Sequence, residues 1–240
     1  MINQNKNFFL ENGYVVLKNV VPEEHIKEYE NLWIQTHTSG FDKENNLIIN
    51  SPNGWSSSNS YLSHKEILNI LCHENIFNFL NLINDKLALH LSFTGWTSTL
   101  KTWHQDWTTS DKDAAQNYIG VWVALDKIHP DSGPFQFIPG SHLWDINYEM
   151  VYKKENMTKV QDFLVEECIK RSAQAFSFLA DRGDAIVWSG HLIHRGSTPN
   201  DFKLLRKSII GHYGILSSDV LPYQNGFYHS NKSSGIDLYA

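Results

Sequence analysis

Between Leu87 and Thr94 the chain alternates: Leu87, Leu89, Leu91 and Phe93 are interleaved with Ala88, His90, Ser92 and Thr94. A repeat of two separates these sets onto opposite faces of an extended strand, with the apolar set on the buried face, whereas helical periodicity would scatter it. Strand-like runs recur around Leu100 to Asp106, Tyr118 to Leu125, Phe135 to Ile138, Ala185 to Trp188 and Lys207 to Ile215, with Gly- and Pro-bearing turns between them. Many short strands punctuated in this way predict a barrel or sandwich, because a sheet with an apolar face must close on itself or on a second sheet.

The region before residue 84 reads differently. Gly13 precedes a short β-branched run, Tyr14-Val15-Val16-Leu17, and Val21-Pro22 opens a segment whose Ile26, Tyr29 and Trp33 recur at helical spacing. Ser63-His64-Lys65-Glu66 has the form of a capping box opening a helix through Leu71, and Ile76, Leu80 and Ile83 mark a second short helix. Asn45 to Ser60 is loop chemistry rich in Asn, Ser, Pro and Gly. Between Asn147 and Gln174 a charged, helix-prone stretch with Val160, Phe163, Leu164 and Cys168 on one stripe predicts a helical insertion on a β core. With 240 residues and 41% hydrophobic content, the chain is expected to form one domain, with N-terminal helices over about 22–84.

Charge and cysteine usage exclude several classes. Twenty-six acidic against twenty basic side chains leave a net charge of −6, so no basic field exists to track a phosphate backbone. Cys72 and Cys168 are isolated, which indicates neither a disulfide framework nor a thiolate zinc site. No apolar run approaches the length of a membrane span, and the first residues lack a signal-peptide pattern. The expectation is a soluble cytoplasmic protein with a small-molecule partner and neither nucleic acid nor membrane.

Most of the twelve histidines need no functional account. His104-Gln105-Asp106 differs, because on a strand residues i and i+2 project to the same face and present an imidazole and a carboxylate to one ion. The motif alone is common. A third ligand must come from elsewhere, and His194 is the candidate, since it follows a turn and strand, Gly183 to Trp188, and then a short polar loop. His191 lies three residues earlier and would point to the opposite face of a strand. Two imidazoles and one carboxylate leave coordination positions open, the arrangement suited to non-haem Fe(II). His142 reads as a turn residue with a hydrogen-bonding role.

Further segments accompany this pattern in order: Glu11 to Leu17, Trp122-Val123-Ala124-Leu125-Asp126, Ser132-Gly133-Pro134-Phe135, Ile138-Pro139-Gly140-Ser141-His142, Gly183-Asp184, His194 to Asn200, and Arg206. Together with His104-Gln105-Asp106 they resemble the phytanoyl-CoA dioxygenase family of Fe(II)/2-oxoglutarate oxygenases over most of the sequence. The resemblance implies that His104, Asp106 and His194 are the metal and catalytic triad. It implies that Arg206 holds the distal carboxylate of 2-oxoglutarate as a bidentate fork, that Ser197 assists it, and that Trp122 lines the co-substrate site. It also implies a double-stranded β-helix, a jelly-roll (cupin-like) core, mainly β with flanking α-helices. The implied cofactor is Fe(II), with 2-oxoglutarate and O2 as co-substrates.

The carboxylate at Asp106 favours hydroxylation, because related halogenases carry a small residue there. The expected reaction is hydroxylation of an unactivated C–H of a small organic substrate, with decarboxylation of 2-oxoglutarate to succinate. Desaturation, cyclisation or epimerisation by the same iron chemistry, and a non-catalytic jelly-roll binding protein, are the alternatives. Around the H-x-D strand, Trp107 is expected in the substrate pocket and Trp96 and Trp103 in ordinary packing. By parity Thr102 should share the inward face with His104, while Lys101 should point outward unless the strand bulges. Trp55, in the Asn45 to Ser60 loop, is a candidate lid and substrate residue.

Overall fold

The computed structural model describes residues 2–57, 60–106, 117–146, 157–215, 228–229 and 238–239. Helix α1 (Ile2–Asn12) turns at Gly13 into strand β1 (Tyr14–Leu17), followed by α2 (Glu23–His37). Gly13 holds φ +77°, and a Cβ there would meet the His142 ring at 2.5 Å, so a side chain is refused by both backbone and space. The hairpin β2 (Thr38–Phe41) and β3 (Leu47–Ile49) leads to α3 (Lys65–Leu71) and α4 (Glu74–Ile83). Helix α3 starts from His64, which makes no side-chain cap. The backbone N–H of Ser63 closes a tight turn onto Ser60 instead, so the expected capping box does not form.

The later strands are β4 (Leu87–Gly95), β5 (Tyr118–Ala124), β6 (Phe135–Phe137), β7 (Phe176–Ser177), β8 (Ala185–Ser189), β9 (His194–Gly196), β10 (Ser208–Ile215), β11 (Tyr228–His229) and β12 (Leu238–Tyr239). Helix α5 (Met157–Lys170) lies between β6 and β7, within the expected insertion. Its Leu164 packs on Ile138, Ile146 and Ile193, with Phe163 and Cys168 half-buried beside it. The side chain of Val160 lies outside the described residues. Among the described residues helix and strand are of similar extent, so the molecule is mixed α/β rather than mainly β. The helical share is raised by α1, which the sequence reading did not anticipate.

Seven strands form an antiparallel sheet in the order β1-β8-β5-β10-β4-β11-β12, and a second sheet is ordered β7-β6-β9. Period-two alternation divides the larger sheet between two cores. Val121, Val123, Val187, Ile209 and Tyr213 face helices α2, α3 and α4, against Tyr29, Trp33, Ile70 and Phe77. Trp122, Ile186 and Trp188 face the smaller sheet, against Phe135, Phe137 and Phe178.

Strand β4 departs from the simple alternation. Tyr213 pairs with Leu89 and His212 with Leu91, so His90 is the extra residue of a β-bulge. The bulge reverses the parity of everything after it. Leu87 and Leu89 enter the helix-side core, whereas Phe93 is 44% exposed and faces the other way. Ser92 instead turns its hydroxyl to Ser60, at 3.3 Å. The one-sided strand expected for Leu87 to Phe93 is therefore corrected to two half-strands of opposite parity.

Helix α2 is tied to the sheet edge by the stacked rings of Trp33 and Trp96, 3.8 Å apart and 10° from parallel. Such a pair contributes roughly 0.5–1.5 kcal/mol beyond its buried area. No helix among the described residues is long and apolar enough to cross a membrane.

Burial pushes the His90 imidazole down to about 3, with the neighbouring His212 adding in the same direction. The folded chain thus holds His90 neutral, while the unfolded chain binds a proton near pH ~6.5. Its contribution to stability is complete above that pH and is lost as pH falls toward 3. Urea unfolding of the metal-free protein is expected to lose up to about 1.4 kcal/mol per pH unit per such histidine below pH ~6. In His90→Leu the loss should be shallower; an unchanged slope would assign the acid sensitivity to other groups.

Candidate active site

The site begins with a backbone pairing. His104 and His194 each donate their N–H to the other's carbonyl at 3.0 Å, so their side chains leave the ladder on the same side. Gln105 is buried and its amide donates to the His191 carbonyl, a second tie between the segments that carry the motif and His194. On its other edge His194 is opposite Phe137 of β6. His191 is buried, and His142 turns its Nε2 to the Leu10 carbonyl at 3.1 Å.

The continuous strand expected from Leu100 to Asp106 does not form. His104 is an isolated bridge, and Leu100 adopts φ +54° in the left-handed region, which breaks the period-two parity. Lys101 and Thr102 are both exposed, Lys101 at the border of the cavity and Thr102 instead of facing in. Thr102 serves the site through its backbone: its carbonyl faces His104 Nδ1 at 2.7 Å. The Leu192 carbonyl does the same for His194 Nδ1 at 2.9 Å. A carbonyl can only accept, so each neutral ring carries its proton on Nδ1 and presents the Nε2 lone pair to the centre.

Asp106 completes the set. Its Oδ1 lies 3.5 Å from His104 Nε2 and its Oδ2 3.5 Å from His194 Nε2. The three ligand atoms lie within 4.8 Å of one another, close enough to share one ion. Trp188 Nε1 donates to Asp106 Oδ2 at 2.9 Å, and His212 Nδ1 stands 3.8 Å from the same oxygen. Trp188 reaches this position because β5 has Gly120 beneath it, where a Cβ would strike the indole at 2.1 Å.

Burial alone would raise the Asp106 carboxyl, but His194, His212 and His104 together outweigh it and hold the group well below the usual carboxylate range. Burial lowers His194 to about 3, against the opposing pull of Asp106. His212 is lowered too, by burial first. At neutral pH the centre is therefore an ionised carboxylate with a neutral His194, the protonation states that a divalent ion requires.

These residues open into a cavity of about 350 Å³. Its walls include Trp55, Trp122, Phe135 and Trp188, and from β10 and the residue two before it Arg206, Ser208, Ile210 and His212. Arg206 is almost completely buried, with its N–H fixed to the Trp96 carbonyl at 2.7 Å. Its guanidinium reaches the carbonyls of Gly133 and Thr97, each at 3.3 Å, but meets no carboxylate among the described residues, and its Nε has no partner there. Burial brings it down to about 10, still cationic at neutral pH. The indole Nε1 of Trp122, whose ring centroid is 5.9 Å from the Arg206 guanidinium carbon, also has no acceptor among the described residues.

The expected residues thus divide. His104, Asp106, His194, Arg206, Trp122 and Trp55 border one cavity. Ser197 does not: its hydroxyl donates to the Pro134 carbonyl at 2.8 Å, and Ser208 is the hydroxyl residue that borders the cavity beyond Arg206. Trp107 lies outside the described residues. Trp96 packs on Trp33, and Trp103 lies beneath Arg195. Ser208, Ile210, His212 and Trp188 were not anticipated. The first three carry a signal in the sequence, since with Arg206 they recur at every second position of one strand.

Residues 65–201 match the model of the phytanoyl-CoA dioxygenase family (PhyH), a span that includes His104, Asp106 and His194. The chain belongs to the phytanoyl-CoA dioxygenase family. Its centre accordingly has the facial-triad donor set of that family's Fe(II)/2-oxoglutarate-dependent oxygenases. A Danio rerio relative, phytanoyl-CoA dioxygenase domain-containing protein 1, is 30% identical over 94 residues, which are 39% of this chain and only 32% of that protein. Among solved structures, the epimerase SnoN from nogalamycin biosynthesis superimposes with a TM-score of 0.65 at 13% identity, covering 99% of this chain and 97% of that one. EctD from S. alaskensis with bound Fe gives 0.64 at 18% identity, over 91% of this chain and 78% of that one. At these identities the likeness is one of fold.

In this family member the Trp188 indole supports the metal carboxylate from behind. Trp188→Phe is expected to weaken Fe(II) binding roughly 10-fold, the lower end of losses from removing an outer partner of a ligand. Gly120→Ala should add a loss of thermal stability, because the indole must move. Iron titrations followed by competition with a chelator measure the first effect. Undiminished affinity in Trp188→Phe would show that the hydrogen bond does not orient Asp106.

Proposed function

We propose that the chain is a single-domain Fe(II)- and 2-oxoglutarate-dependent dioxygenase that hydroxylates an unactivated C–H of a small organic molecule. In this reading the two sheets are the halves of a double-stranded β-helix, the jelly roll, with helices α1 to α4 and the α5 insertion outside it. The observation that carries the reading is Arg206, a buried guanidinium that meets no carboxylate among the described residues, opening into the same cavity as the triad. A buried cation costs several kcal/mol unless an anion meets it (about that order). Trp122 Nε1 beside it is a second donor with no acceptor among the described residues. A dicarboxylate co-substrate supplies acceptors for both.

His104, Asp106 and His194 would hold the iron, whose chemistry when bound is to couple oxidative decarboxylation of 2-oxoglutarate to oxidation of the substrate. The chain does the rest. Thr102 and Leu192 carbonyls fix the imidazole tautomers, and Trp188 fixes the carboxylate. Arg206 and Trp122 orient the co-substrate at the cavity floor, and Phe135, Trp188 and Ile210 keep water from the reacting carbon. The carboxylate at position 106 supports hydroxylation over halogenation. The free thiols of Cys72 and Cys168 fit a reducing cytoplasm.

Anaerobic addition of Fe(II) and then 2-oxoglutarate should give wild type a visible charge-transfer band that is weakened in both Asp106→Ala and Arg206→Ala. With substrate and 18O2, the product should gain one labelled oxygen. A product lighter by two hydrogens, or of unchanged mass, would replace hydroxylation by desaturation or epimerisation. No band in wild type, with iron held no more tightly than in Asp106→Ala, would leave a binding protein.

A further inference from the structure

Trp96 is the first residue beyond β4, where the regular pairing with β10 has ended at Gly95 and Ser208. Arg206 nevertheless grips this stretch at two points. Its backbone N–H donates to the Trp96 carbonyl at 2.7 Å, and its Nη2 donates to the Thr97 carbonyl at 3.3 Å. The position of the guanidinium therefore depends on whatever fixes residues 96 and 97.

Three contacts fix them. The Trp96 N–H donates to the Pro52 carbonyl at 2.8 Å. One face of its fully buried indole is covered by Trp33 of α2, 3.8 Å away and 10° from parallel. Lys207 Nζ lies 4.6 Å from the same ring centroid, and since Trp33 leaves no room on its own side, the ammonium stands over the opposite face. That ammonium is held in turn: Glu30 Oε1 is 3.3 Å away and Asp126 Oδ2 3.5 Å, while Arg182 Nη2 donates to the other Glu30 oxygen at 2.7 Å. Glu30 and Trp33 are three residues apart on α2 and share a face of that helix. One helix thus supplies one plate of the clamp and anchors the other. Burial of apolar area is non-directional, whereas a stacked ring and a cation over its second face fix the plane of the indole and with it the peptide that Arg206 holds.

We infer that Trp96 is a positioning residue for the co-substrate: clamped between Trp33 and Lys207, it sets the height at which Arg206 meets the distal carboxylate of 2-oxoglutarate. The inference rests on the oxygenase reading, in which Arg206 binds that carboxylate. It adds Trp96, Trp33, Lys207 and Glu30, none of which borders the cavity. The bond to Pro52 carries the same support toward the cavity wall, where Asn53 and Trp55 follow in the chain.

The test uses the anaerobic full-length protein loaded with Fe(II) and titrated with 2-oxoglutarate, the visible charge-transfer band reporting binding, with Fe(II) affinity measured separately by competition with a chelator. Trp96→Leu is expected to weaken 2-oxoglutarate roughly tenfold, and Lys207→Met, which keeps the aliphatic stem and removes the cation, roughly threefold. Fe(II) affinity should stay within about twofold of wild type in both, since the ligands of the ion are supported elsewhere. In an Arg206→Ala background neither change should weaken 2-oxoglutarate further, because the clamp acts only through that guanidinium. Lys207→Met, a partly exposed side chain, decides the matter if Trp96→Leu does not fold. Undiminished 2-oxoglutarate affinity in Lys207→Met, a loss shared equally by 2-oxoglutarate and Fe(II), or a loss that persists without Arg206 would overturn the inference. A wild type without the band overturns the oxygenase reading itself, whereas an intact band with any of those three results overturns only the clamp.

Discussion

Asp106 must remain ionised while almost entirely withdrawn from water, and much of the surrounding architecture answers that demand. A buried carboxylate left alone takes up a proton, because the low-dielectric interior penalises its charge. Here His194, His212 and His104 stand around it and hold the carboxyl well down despite burial, and the Trp188 indole N–H donates to it. None of those partners is positioned by chance. Trp188 lies flat because residue 120 has no Cβ. His194 faces the carboxylate because its backbone is paired with that of His104. The two Nδ1 atoms are occupied by carbonyls, so the Nε2 atoms have nowhere to turn but inward.

The same economy of rigid supports extends to Arg206. Its N–H is fixed to the Trp96 carbonyl, and the Trp96 ring is stacked on Trp33 of α2. A helix on the outer face of the sheet thereby helps set the height of a guanidinium inside the cavity. Burial of that guanidinium without a carboxylate among the described residues is unfavourable, and in the proposed reading an anionic co-substrate would relieve it.

Two local irregularities shape the opening. The bulge at His90 reverses the second half of β4, which carries Phe93 from the helix-side core to the cavity side. The left-handed residue Leu100 interrupts the segment before His104, where Lys101 borders the cavity while staying exposed. At the bulge one residue out of register transfers a side chain between faces, which is the mechanical consequence of a period of two. The chemistry of the centre sits on regular pairing, and the chemistry of the mouth sits where pairing is interrupted.

Much of this was legible in the order of residues. The alternating and β-branched runs located β1, β4, β5, β6, β8 and β10, helical spacing located α2 and α4, and His104, Asp106, His194, Arg206 and Trp122 could be named from their motifs. The sequence did not reveal where periodicity stops. A bulge or a left-handed residue costs little and leaves no compositional mark, yet it upsets the parity arguments around it, as Thr102 and Phe93 illustrate. Nor could it assign hydroxyls: Ser197 and Ser208 are chemically alike, and only the carbonyl of Pro134, brought close by the pairing of β6 with β9, decides which of them is occupied. Local pattern determines which residues can form a strand and which side chains can bind a metal. The faces they finally present depend on contacts between segments distant in sequence, and only the packed chain supplies those.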